Sequence, residues 1–138
     1  MSKAQLRRLS GIRRVDTPLD ELEANAEELG WRCVVLDGAE VEDKDAFLEM
    51  CEEAFGLPEW FGMNWDALEE CLGDLDHDGA EGVVVLWTAW GEFADAAPRE
   101  FATALDVLGS AVRGWAADGV RGGVLLSGQG PDIDVPEI

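Results

Sequence analysis

Four carboxylates crowd one short stretch of this chain, and their spacing is its clearest chemical signal. Asp66, Glu70 and Asp74 recur every four residues, with Glu69 beside them. On a helix that period lines them up along one face. Like charges so placed cost an isolated helix roughly a few tenths of a kcal/mol per pair. Asp66 offsets part of this from the first turn, near the positive helix terminus, whereas Asp74 at the other end does not. A row of acids that its own helix disfavours points to a positively charged partner, with a merely solvated face as the alternative.

Other chemistries fit less well. Asp74, Asp76, Asp78 and Gly79 spell D-x-D-x-D-G, the opening of an EF-hand calcium loop. The position for the closing bidentate Glu is Val85, inside an expected strand, and no second helix follows. An acidic turn without a metal is the expected reading. His77 is the single histidine, which excludes multi-histidine metal sites, and among carboxylates it reads as a solvated partner. No Ser or Cys stands in a nucleophile motif. Paired carboxylates could serve glycoside hydrolysis, but nothing supplies a sugar-binding cleft. Gly128-x-Gly130 follows a strand with no helix after it, so a nucleotide fingerprint fails. The chain is expected to be no enzyme and to need no cofactor or metal.

The acids must be held by something. Asn64 is a good N-cap, and Trp65, Leu68, Leu72 and Leu75 recur at helical spacing, with Ala67 and Cys71 beside them. Before Asn64, Pro58, Trp60, Phe61 and Gly62 read as a tight loop bearing two aromatics, at least one of them a candidate for exposure. An exposed aromatic beside acids makes an anchor-plus-charge binding surface.

The stretch LPEWFGMNWDALEECL resembles the signature of the barstar family, intracellular inhibitors of secreted ribonucleases of the barnase type. The match is ungapped and long, and a weaker likeness in the order of elements runs from Arg32 to Ser127. The resemblance implies a non-enzymatic inhibitor that forms a 1:1 complex with a basic ribonuclease, or a related toxin nuclease, and fills its active site. It implies Glu70 as the phosphate-mimicking acid, Asp66 as a second arginine-binding acid, and Trp60 as the cover over a catalytic histidine. Gly62 and Asn64 stand where the family's loop makes further contacts, and Phe61, Glu69 and Asp74 complete the expected partner-binding surface. Trp60 and Phe61 replace two tyrosines of the family, Glu69 and Leu75 replace tryptophans, and Glu70 is one methylene longer than the family's Asp. These departures leave the cognate nuclease open. The alternative is a regulatory module that binds another basic protein without inhibiting a nuclease.

Composition fits that expectation. A chain of 138 residues suits one domain, and folding at this size buries roughly two thirds of the unfolded surface. Thirty acids against ten bases give a net charge of −20. Phosphates would be repelled, so no nucleic-acid partner is expected, while capture of a basic protein would be steered. Three cysteines (Cys33, Cys51, Cys71) without a Cys-x-x-Cys pair favour reduced thiols and a cytoplasmic location. No apolar run is long enough for a membrane span, and no signal-peptide core opens the chain.

Three parts are expected: an N-terminal extension over 1–30, a barstar-like domain over 31–127 and a tail over 128–138. The first 14 residues carry five of the ten bases, Lys3, Arg7, Arg8, Arg13 and Arg14. They read as a disordered basic arm, or as one folded back on the acidic surface. Thr17, Pro18 and Asp20 signal an added helix that ends near Gly30. Strands are expected at Arg32–Leu36, Val83–Trp87 and Val124–Leu126, with helices over Asp43–Phe55 and Pro98–Ala117, and a turn with room for a short helix over Trp87–Phe93. Alternation of strand and helix implies an α/β fold, and the resemblance implies a three-stranded parallel sheet packed by helices. Trp65, Trp87 and Trp115 are expected in the core, Trp60 at the surface, and the tail irregular.

Overall fold

The computed structural model describes residues 1–138. After the short helix α1 (Lys3–Arg7) come strand β1 (Ser10–Val15), helix α2 (Leu19–Leu29) and strand β2 (Arg32–Asp37). Helices α3 (Lys44–Phe55) and α4 (Trp65–Gly73) lead to β3 (Gly82–Thr88). Helices α5 (Trp90–Ala96) and α6 (Pro98–Ala117) lead to β4 (Arg121–Ser127). The sheet is wholly parallel, in the order β1-β4-β3-β2. From β2 to β4 the chain steps across the sheet one way, and from β1 to β2 it steps back. A right-handed crossover for the return puts α2 on the opposite face.

Parity along the central strand shows both faces filled. Val83, Val85 and Trp87 join the core beneath α3, α4, α5 and α6, while Val84 and Leu86 join a smaller core with Leu6, Leu9, Leu22 and Trp31. This is why VVVLW shows no polar alternation. Trp87, Trp90, Trp115 and Trp31 are all buried. Trp65 is half-buried rather than wholly core: its ring lies 5.6 Å from Phe47 and its indole N–H donates to Glu100 at 3.2 Å.

Four strands form, where three were expected, and the basic N-terminal segment is neither disordered nor purely helical. Ser2 caps α1 in a capping box with Gln5, and β1 pairs along its length with β4. Its apolar residues divide between two faces, Val15 toward the smaller core and Ile12 toward the larger. Arginine hides this pattern in the sequence. Arg14 lies partly buried with its guanidinium 5.0 Å from the centre of the Trp90 ring, a placement that reads as surface charge in one dimension. Gly123 allows the close pairing, since a Cβ there would collide with the Gly11 carbonyl.

The tail contains no helix or strand, yet it runs along the outer edge of β1. Arg14 donates its N–H to Pro136 at 2.9 Å, and Ile138 returns a bond to Arg14 at 3.0 Å. Ile133 and Val135 pack on the larger core.

Candidate functional site

The loop before α4 is built by local chemistry. Leu57 donates its N–H to Glu52 at 3.0 Å, closing α3 around Gly56, whose φ of 65° is left-handed. Phe61 then closes a turn onto Pro58 at 2.9 Å. The two aromatics part here: Phe61 is buried in the core, whereas Trp60 is 67% exposed. Of the pair, only Trp60 stands at the surface; Phe61 anchors the loop from below.

Asn64 joins loop to helix. Its Oδ1 accepts the Ala67 N–H at 2.8 Å, and its Nδ2 donates to the Gly62 carbonyl at 3.2 Å. At the far end of α4, the buried Trp115 indole N–H donates to the Leu72 carbonyl at 2.8 Å, tying α4 to α6. Leu68, Cys71 and Leu72 face inward. The helix is therefore fastened at both ends and along one side.

Its acids face outward. Asp66, Glu69, Glu70 and Asp74 are all exposed. Asp66 and Glu70 lie one turn apart on the same face, and Asp74 is the C-cap, just past the last turn. The molecule has just two ion pairs, Met1–Glu21 and Lys3–Glu28, both on its N-terminal half. Asp66, Glu70 and Asp74 have neither an ion pair nor a side-chain hydrogen bond. Glu69 differs, because it accepts the Ser110 hydroxyl of α6 at 2.7 Å. Nothing in the sequence signals that contact, as Ser110 lies 41 residues further on. The Cys71 thiol pKa is raised, first by burial and then by the Glu70 and Asp74 carboxylates.

The acidic turn after α4 is closed by its own bonds and by Arg32. Asp76 accepts the Asp78 N–H at 2.9 Å, Arg32 donates to the Asp76 carbonyl at 2.8 Å, and Val85 lies within β3. No three acids, cysteines or histidines converge to hold an ion. His77 is not the solvated partner the sequence suggested. It is half-buried, edge-on to Trp115 at 5.2 Å, and its Nδ1 has no partner. Burial lowers its pKa, helped by Arg32 and opposed by Asp76, Asp118 and Asp78.

Residues 31–127 match the family described as barstar (barnase inhibitor). The chain belongs to the barstar family. Among solved structures it is similar to the ORC2 protein of Aeropyrum pernix in its ADPNP–ADP complexes, with a TM-score of 0.55 and 13% identity. That likeness covers 92% of this chain and 37% of the other, and at such identity it is one of fold alone. No curated protein is matched by the sequence. The barstar-family match begins one residue before β2 and ends with β4, so α1, β1, α2 and the tail lie outside it. No helix is long and apolar enough to cross a membrane.

Proposed function

We propose that this barstar-family chain inhibits a basic, guanyl-specific type of ribonuclease or a related toxin nuclease, by a 1:1 complex that blocks the active site. The observation that carries the reading is the pair Asp66 and Glu70, exposed and without partners on a helix fastened at both ends. A nuclease that grips RNA phosphates with arginines and lysines meets carboxylates instead, held without loss of helix freedom on binding. Glu70 takes the phosphate position, Asp66 a neighbouring arginine, and Trp60 covers the catalytic histidine. Gly62, Asn64, Glu69 and Asp74 border the contact. The protein performs no chemistry itself and acts in the cytoplasm as an immunity protein.

The test is to mix the purified protein with barnase and with other basic ribonucleases and to follow RNA cleavage. Stoichiometric loss of cleavage for at least one of them is the expected result. Binding without inhibition would favour a regulatory module for a basic protein.

A further inference from the structure

The two edges of the sheet are treated differently. The tail partly covers β1, but β2 pairs with β3 alone and has no neighbour on its other side. The Leu36 carbonyl faces β3, where the Thr88 hydroxyl lies 3.4 Å away. Residues of the opposite parity, Cys33 and Val35, therefore turn their N–H and C=O groups outward. No loop, cap or side-chain hydrogen bond meets the backbone of either.

Natural edges are commonly blunted by Pro, Lys or a bulge. The run RCVVLD has none along its length beyond Arg32 at its start, whose guanidinium is turned to Asp76. Helix α3 stands over this edge instead, leaving a groove of about 510 Å³. Its walls are Val35 on β2 and Ala46 and Met50, one turn apart on α3. Its rim is Asp37, Glu49 and Glu53, all exposed, and no basic residue lines it.

We propose that this groove accepts an extended segment of a basic protein, which adds to the sheet as a further strand beside β2. Main-chain bonds to Cys33 and Val35 hold the segment, as in other strand-addition sites. Apolar side chains of the segment pack on Met50, and its Lys or Arg residues meet Glu49, Glu53 and Asp37. Charge selects this occupant over a second copy of the chain, since pairing two β2 edges would bring the same carboxylates together. The site uses no residue of α4 and stands apart from the nuclease reading.

The experiment titrates isotope-labelled full-length protein with a short peptide alternating Lys and Val, and with its Glu and Val counterpart, observed by NMR. With the basic peptide, the amide protons of Cys33 and Val35 shift downfield and their solvent exchange slows by roughly tenfold or more. The acidic peptide does neither. The double variant Glu49→Lys, Glu53→Lys melts like the wild type and binds the basic peptide on the order of tenfold more weakly. Shifts confined to the face of α4, or no change at Cys33 and Val35, overturn the proposal. So does sedimentation of the free protein as a dimer with those two amides already protected.

Discussion

Glu70 stands exposed with no partner of its own, so its value in a complex comes wholly from what it meets. If it enters a phosphate site, removing it leaves the partner's cations buried and unpaired. Such truncations cost roughly 2–5 kcal/mol or more, mainly in dissociation. That range includes measurements on barnase–barstar, the family's type complex, and is taken over from there. Asp66→Ala should cost less but measurably, and Asp74→Ala about 1 kcal/mol or below, as a rim charge. Stopped-flow and dissociation kinetics on the three variants check the order; a larger loss for Asp74→Ala than for Glu70→Ala, in folded proteins, contradicts the docking. His77 gives a residue-scale prediction that needs no partner. Its pKa is lowered on folding, so the unfolded chain binds the proton more readily, and this contribution to stability is present above about pH 6.5 and is lost as pH falls through the window below it. Denaturant melts at neutral and mildly acid pH should show wild type losing more stability on acidification than His77→Asn. Equal losses would show that the ring is not desolvated as described.

At the scale of elements, α4 depends on its two fastenings more than on its own propensity. Its acid row opposes it, and it is short, so the cap matters. Asn64→Ala removes the bond to Ala67 and the bond to Gly62, and should lower stability by about 1 kcal/mol. The same change loosens the turn that presents Trp60, so dissociation of the nuclease should also quicken. Thermal melts and dissociation rates measure the two effects separately; Asn64→Asp, which keeps the cap oxygen, should restore most of the stability. A cap variant as stable as wild type would mean that α4 is held from α6 alone.

For the whole molecule, charge and topology make separate predictions. With 30 acids against 10 bases, association with the cognate nuclease should slow steeply as salt rises, because steering is screened over about 8 Å at physiological ionic strength. Dissociation should respond much less, and a salt-insensitive association rate would leave the −20 charge without this role. Topology concerns the N-terminal extension. Leu6, Leu9, Leu22 and Ala26 supply most of one face's core outside the sheet, and Val15 of β1 adds to it. A fragment of residues 31–138 should therefore expose Val84, Leu86 and Leu125, and should aggregate or melt well below the full chain. Circular dichroism and sedimentation of that fragment decide it, and a monomer with an unchanged melt would make the extension a separable appendage.

Much of this was legible in one dimension, for a physical reason. Helix α6 spans the expected Pro98–Ala117, α3 starts after its Asp43 cap and ends at Gly56, and Asn64 opens α4, because caps and apolar periodicity are local. The outward acids followed from the same local spacing. What stayed hidden depended on distant partners. Strand β1 was masked because burial of arginine stems and the approach of Gly11 to Gly123 are decided only once β4 exists. The tail finds its place only when β1 offers an edge. Phe61 and Trp60 are equivalent neighbours in sequence, and only the core assembled beneath the loop decides that Phe61 is the one buried. Likewise, no spacing rule joins Glu69 to Ser110 or His77 to Trp115. The sequence by itself set the longer helices, most of their ends and the acid row, while the sheet's fourth strand, the choice between Trp60 and Phe61 and the open edge of β2 were set by contacts between residues far apart in the chain.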